Sequence, residues 1–192
     1  MYRGNALSRR HHTAWFNRQA GLSLLELLFT LAVAAISAAI AVPNFQDWLA
    51  RQRLVAQTNS LIRDLHISRN TSITSGADVL MCESSNRSSC TLQPDWRAGW
   101  IVFADRNGNR QRDQDESILT INTGFIGSIK FKAAGRYGYR NVVYRPTGRA
   151  KNGTFTLCTP GGDARAVVLH MSGRPRVTYS KADGSALECP TP

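Results

Sequence analysis

The densest run of ligating side chains in this sequence is residues 105–116, where Asp105, Asn107, Asn109, Asp113 and Glu116 fall at positions 1, 3, 5, 9 and 12 of an EF-hand loop. That spacing would suit a hard divalent cation. Against it, Arg110 stands where such a loop requires Gly, three Arg offset its acids, and no helix pair flanks it. The run reads instead as a β-hairpin whose Asp and Asn side chains cap their own turn, and the five oxygen-bearing residues are the candidate set if a metal were held at all. Zinc would want closely spaced Cys pairs or nearby His, and the four Cys and four His offer neither. There is no Walker loop, no Gly-x-Ser-x-Gly, no framed pair of carboxylates and no Cys with a partner His, so neither catalysis nor a cofactor is expected.

Anion binding is the chemistry that the composition favours. The 192 residues carry 24 Lys+Arg against 13 Asp+Glu, a net charge of +11, and twenty of the cations are Arg, whose planar fork grips phosphate or carboxylate at two points. Between Lys130 and Lys181 stand eleven cations (Lys130, Lys132, Arg136, Arg140, Arg145, Arg149, Lys151, Arg165, Arg174, Arg176, Lys181) against Asp163 alone, a local balance of 11 − 1 = +10. Tyr137, Tyr139 and Tyr144 interleave with the Arg, which suits phosphate contacts beside stacking surfaces. A solvated face that keeps the protein soluble would carry the same charges.

A different anomaly lies near the N-terminus. Residues 1–21 hold Arg3, Arg9, Arg10 and Arg18 and no acid, and Leu22–Val42 is apolar apart from Ser, Thr and Glu26. At about 1.5 Å per helical residue that span reaches roughly 31 Å, enough to cross a bilayer core. It runs to Pro43 without a charged stop, so it reads as a retained span, and the positive-inside rule leaves the basic leader in the cytoplasm and sends the rest across, into a bacterial periplasm. A lone carboxylate in such a span costs about 2.5–3.5 kcal/mol at the bilayer centre, which marks Glu26 as functional.

The stretch Gly21-Leu22-Ser23-Leu24-Leu25-Glu26-Leu27 resembles the class III signal of type IV pilins and type II secretion pseudopilins. The resemblance implies cleavage after Gly21 by a prepilin peptidase, N-methylation of Leu22, and an assembly role for Glu26, fifth in the mature chain. Pro43, residue 22 of that chain, matches the helix-kinking Pro of the family. Leu22 replaces the usual Phe, and a leader of 21 residues is long for the class. Cleavage frees an amine four residues from Glu26, and pairing with that amine, or with a neighbouring subunit's, would make the buried carboxylate tolerable and fix axial register.

The elements that position these groups follow from periodicity. After Pro43 the pattern Phe45, Trp48, Leu49, Val55, Leu61, Ile62 and Leu65 continues at helical spacing, which predicts one helix over 22–72 laying this stripe on a sheet, with Arg51, Arg53, Arg63 and Arg69 mostly outward. Beyond Gly76, eight short β-branched and aromatic runs (78–82, 100–104, 117–122, 126–132, 141–145, 154–159, 165–171, 175–179) are separated by Gly, Pro and Asn, the mark of an antiparallel sheet system. The expected class is α+β: leader 1–21, transmembrane helix 22–42, helix spine 43–72, and a β-rich periplasmic head 73–192. In an oxidising compartment, local spacing among three possible connectivities favours Cys82 with Cys90 and Cys158 with Cys189.

Asp95-Trp96-Arg97-Ala98-Gly99-Trp100-Ile101-Val102-Phe103, followed by Asp105 and Asn107, is similar to the GspH/FimT branch of minor pilins and pseudopilins. Gly173-Arg174-Pro175-Arg176 resembles the Gly-Arg-x-Arg element of FimT-type minor pilins that bind DNA in natural transformation, with Pro stiffening a turn that carries both Arg. The resemblance implies a non-enzymatic filament subunit partnered by other pilins, the prepilin peptidase, the inner membrane and DNA, with Arg174, Arg176, Gly173, Arg140, Arg149 and Lys132 as DNA-binding residues. The competing expectation is a structural H-type pseudopilin of type II secretion, or a pilus-tip initiation subunit, without DNA binding.

Overall fold

The computed structural model describes residues 21, 23–91, 96–125, 127, 129–135 and 140–190. The chain divides into two compact units, Met1–Val42 and Pro43–Pro192.

One helix, α1, runs from Leu24 to Ser75, with Pro43 inside it. Ser23 caps its start, its hydroxyl accepting the Glu26 N–H at 3.2 Å. Gly76, at φ +66°, follows its end, a left-handed conformation suited to a helix C-terminus. The helix is long and apolar enough to cross a membrane. Its hydroxyls are satisfied within the helix: Thr30 donates to the Leu27 carbonyl at 2.9 Å and Ser37 to the Val33 carbonyl at 2.8 Å.

Among the described residues of the second unit, the expected antiparallel sheet system consists of eight strands in two four-stranded sheets. The strands are β1 (Asp78–Glu83), β2 (Trp100–Asp105), β3 (Ile118–Asn122), β4 (Lys130–Ala134), β5 (Asn141–Tyr144), β6 (Gly153–Cys158), β7 (Ala164–Leu169) and β8 (Pro175–Thr178). Their orders are β3-β2-β1-β5 and β4-β6-β7-β8. Each expected run overlaps one strand, with ends displaced by one or two residues in most: β1 and β2 extend one residue further, and β6 and β7 begin one residue earlier. The largest difference is β4, which starts at Lys130 rather than 126; position 126 lies outside the described residues.

The helix stripe needs correction. The helix buries Leu54, Leu61 and Leu65 together with Gln57, Thr58, Asp64, Ser68 and Ser72. Phe45 and Trp48, expected on the sheet, are 61% and 52% exposed and stack on each other with centroids 5.6 Å apart. Leu49, Val55 and Ile62 are half-buried. Short hydroxyls and one carboxylate stand at core positions because their hydrogen-bonding groups are met there, which hydrophobic counting does not register. Arg69, expected outward, is half-buried and donates to the Gly148 carbonyl at 3.2 Å.

The core joins Leu61 and Leu65 of the helix to Val79, Met81, Trp100, Val102, Phe155, Leu157 and Val167. A closed circuit of rings, Trp100–Phe125–Phe131–Phe155–Trp96–Trp100, spans both sheets with centroids 4.6–6.4 Å apart, within the range of favourable aromatic pairs. Leu80, Cys82, Ile101 and Phe103, alternating with the core residues, make a second small cluster on the other face of the first sheet. Cys82–Cys90 staples that face, and Cys158–Cys189 ties the C-terminal segment to β6.

Four turns share one plan: 145–149, 159–163, 170–174 and 181–185. In each, the first N–H donates to the fifth carbonyl and the N–H of a Gly at the fourth position donates to the first carbonyl. Those glycines, Gly148, Gly162, Gly173 and Gly184, all have φ between +71° and +93°, the geometry of a type I turn closed by a left-handed residue.

Candidate functional site

The turn His170–Arg174 is the element that carries the Arg motif. Its hydrogen bonds are Gly173 N–H to the His170 carbonyl at 2.8 Å, His170 N–H to the Arg174 carbonyl at 3.4 Å, and Ser172 N–H to His170 Nδ1 at 3.2 Å. Gly173 is buried although its neighbours are exposed, because it presses on the turn Arg145–Arg149: a Cβ at Gly173 would lie 1.9 Å from the Gly148 carbonyl oxygen and 3.0 Å from the Tyr144 ring. Tyr144, fully buried at the end of β5, donates its hydroxyl to the Gly173 carbonyl at 3.1 Å. Arg69, bonded to Gly148, braces the other turn from the helix. A Gly that the sequence marks only as the start of a motif thus locks two Arg-bearing turns together, with Arg145, Arg149 and Arg174 exposed around the contact. Arg176 follows on β8, exposed, paired in register with Val168.

The remaining sequence candidates separate. Arg140 is exposed at the entry to β5. Lys132 sits on β4, the opposite edge of the second sheet from β8, and its charge adds to the Lys181 hydrogen bond that holds the Glu188 carboxyl below its ordinary range. Lys181 pairs with Glu188, which raises its own pKa, and Asp163 pairs with Arg51 at 2.9 Å. The basic segment therefore splits into one face around the two packed turns and another edge partly offset by the C-terminal segment. Arg136, Tyr137 and Tyr139 lie outside the described residues, as do Leu22 and Asp95.

Loop 105–116 closes on itself. Asp105, 2% exposed, accepts the Gly108 N–H at 2.7 Å and the Arg110 N–H at 3.0 Å; Glu116, also 2% exposed, accepts those of Arg106 at 2.8 Å and Asp113 at 3.1 Å. Asn107 and Asn109 donate side-chain amides to Asp113 at 2.8 and 2.7 Å. The oxygens counted as EF-hand positions are engaged by the loop's own N–H groups, and Arg110 itself adopts φ +62°, where Gly would cost nothing. No group of three or more His, Cys, Asp or Glu placed to hold a metal occurs among the described residues.

Sequence reasoning missed Asp64. Its carboxylate is fully buried and accepts the Trp100 indole N–H at 2.9 Å and the Arg63 Nε–H at 3.1 Å, while the Asn122 amide lies 3.4 Å away. This joins the helix to β2 and β3. The signal available was a lone acid between Leu61 and Leu65 on the helix face, which spacing shows once the stripe is shifted off Phe45. In the first unit, Glu26 closes a Ser23-x-x-Glu26 pattern as the third residue of the helix, the acidic first-turn place favoured by the helix dipole. Gly21 is exposed, with nothing within 4 Å of a Cβ there.

Comparison with known proteins fits this architecture. Residues 57–173, more than half of the chain, match the family described as type II transport protein GspH, and residues 16–42 match the prokaryotic N-terminal methylation motif. The type IV major fimbrial protein FimA of Dichelobacter nodosus is 31% identical over 142 residues, covering 73% of this chain and 88% of that protein. The type IV minor pilin FimU of Pseudomonas aeruginosa superimposes with TM-score 0.52 at 15% identity over 73% of this chain and 94% of its own. The minor pseudopilin EpsH of the Vibrio cholerae type 2 secretion system gives 0.48 at 11% identity over 66% and 96%. One long N-terminal helix on antiparallel sheets, a methylation motif and a membrane-length apolar helix are those of a membrane-anchored structural subunit that assembles with other pilins, not of an enzyme. The chain belongs to the GspH family of minor pilins and pseudopilins, the filament subunits of type IV pili and type II secretion systems.

Proposed function

We propose that this chain is a minor pilin of a type IV pilus system whose head captures DNA for uptake in natural transformation. A prepilin peptidase removes leader 1–21 and the new N-terminal Leu22 is methylated. Residues 22–42 anchor the subunit in the bacterial inner membrane, 43–72 continue the spine, and the head 73–192 faces the periplasm. Glu26 then pairs with a free N-terminal amine and sets register in the filament.

The observation that carries DNA binding is the packing of the Arg174 turn on the Arg145–Arg149 turn through Gly173 and Gly148, which concentrates three exposed Arg on a rigid base. Fixed cations without a groove-reading helix make contacts to phosphates, so recognition is independent of sequence and falls steeply with salt, at about 0.9 in log–log slope per phosphate neutralised on duplex DNA. A few such contacts support roughly micromolar affinity, which filaments presenting several heads raise through avidity. The family match to GspH favours a second reading, a structural H-type pseudopilin or a tip-initiation subunit.

The test is fluorescence anisotropy of labelled duplex DNA with the mature full-length chain in detergent micelles. Binding at low salt that is lost in Arg174→Gln/Arg176→Gln, with both disulfides intact, supports capture. A parent chain that does not bind at low salt leaves the structural reading.

A further inference from the structure

Loop 105–116 and the segment after residue 139 are distant in sequence, yet they face each other across an open groove. Two adjoining depressions, of about 490 and 380 Å³, share Arg110 and Asn141 as common lining. Together they are lined by Arg110 and Arg112 on one side and Arg140, Arg145, Arg149 and Lys151 on the other, with Asp78 as the one acid among the lining residues. β5, which runs along the groove, is an edge strand of its sheet. Arg145 and Arg149 belong at once to this groove and to the turn on which Gly173 seats the Arg174 turn, so the groove begins where the candidate DNA contact ends.

The loop carries four acids, Asp105, Asp113, Asp115 and Glu116, against three Arg, but among the described residues none of them forms an ion pair with Arg110 or Arg112. Asp105 and Glu116 are buried and accept backbone N–H groups, and Asp113 takes the amides of Asn107 and Asn109. Arg110, Arg140, Arg145 and Arg149 form no ion pair with a carboxylate among the described residues. The Arg110 backbone is fixed at φ +62° by its bond to Asp105, and the Arg112 guanidinium is oriented by the Glu116 carbonyl at 3.2–3.3 Å while keeping its charge. A hairpin that turns its buried carboxylates to its own N–H groups and lines a groove with the Arg110 and Arg112 guanidinium groups is arranged for a chain of anions.

We propose that this groove is a second phosphate-binding stretch, in which Arg110 and Arg112 of the β2–β3 loop, opposite Arg140 and Lys151, extend the path of the polynucleotide backbone beyond the Arg174 turn. The inference rests on the DNA-capture reading and adds residues from outside the basic C-terminal half. Oriented guanidinium groups, and six cations against one acid along the lining, favour phosphate over an uncharged or apolar peptide.

The experiment measures anisotropy of a labelled random-sequence duplex against salt for the full mature chain in micelles, comparing Arg110→Gln, Arg112→Gln, the double variant, and Arg106→Gln. Arg106 is in the same loop but does not line the groove, so it corrects for the loss of one charge. Expected is a several-fold weakening for Arg110→Gln and about tenfold for the double variant. The salt slope should fall by about 0.9 per contact removed, while Arg106→Gln stays within twofold of the parent. Unchanged denaturation midpoints confirm that the loop still folds. If the parent binds, and Arg174→Gln/Arg176→Gln abolishes binding, but Arg110→Gln and the double variant match Arg106→Gln in affinity and slope, the groove proposal is overturned and DNA capture stands. If the parent does not bind at low salt, both are overturned.

Discussion

Substitution of Gly173 by Ala separates the turn's conformation from its packing, because the molecule carries its own control. Gly162 and Gly173 occupy the same place in turns of the same plan, at φ +93° and +75°. A Cβ at Gly162 meets nothing within 4 Å, whereas one at Gly173 would lie 1.9 Å from the Gly148 oxygen. Each Ala bears the left-handed penalty of about 1–2 kcal/mol. At Gly173 the backbones must also separate by at least 3.0 − 1.9 = 1.1 Å to reach any contact that real Cβ atoms tolerate. That movement stretches the 3.1 Å bond from the buried Tyr144 hydroxyl, adding about 1–2 kcal/mol for the weakened bond and its poorly satisfied oxygen. The expected losses are about 3 kcal/mol for Gly173→Ala and about 1.5 for Gly162→Ala. With a urea m-value of about 2 kcal/mol/M, the midpoints fall by about 1.5 M and 0.7 M. Urea titration of the full chain in micelles, followed by fluorescence of the buried Trp96 and Trp100, reads both. Equal midpoints for the two variants would refute the argument that Gly173 locks the Arg turns together.

Replacing the Cys82–Cys90 pair by Ala should cost about 2.5 kcal/mol and the Cys158–Cys189 pair about 3.7, from loops with sequence separations of 8 and 31 in a chain-entropy model; oxidised denaturation curves give the order, and a reversed order counts against the model. Asp64→Ala strands the buried Trp100 indole N–H and should cost about 2–3 kcal/mol, while Asp64→Asn, which keeps an acceptor, should recover about half; an unchanged urea midpoint for Ala would show that the bond is not stabilising. Co-expression with a prepilin peptidase should yield a chain starting at Leu22 by mass spectrometry, blocked by Gly21→Ala. Glu26→Ala should still be cut but enter filaments poorly, and an intact Met1 start or a cut near Ala41 would sink the processing argument.

Covalent geometry and hydrogen-bond periodicity act over a few residues, and the features they govern were legible in the chain alone. The apolar span, the helix that continues past Pro43, the strands between Gly-rich turns and the self-capping of loop 105–116 are of this kind. So is the class of molecule, since a membrane-length apolar run with Gly21 and Glu26 in register is itself a local pattern. What needed the tertiary structure were contacts between segments far apart in sequence. Periodicity placed Phe45 and Trp48 on the sheet because it measures hydrophobicity and not where the sheet ends; in the fold they are exposed, and Asp64 is buried because Trp100 and Arg63 satisfy it. Charge counting grouped eleven cations into one segment, but strand order sends Lys132 to the opposite edge from Arg176 and gives Lys181 to Glu188. The loop between β2 and β3 brings Arg110 and Arg112 into one groove with Arg140 and Arg149, although β3 and β5 are opposite edges of their sheet. A charge acts over distances in space that the chain spans only after folding, so net charge was a property of the sequence while the shape of the basic face belongs to the sheets.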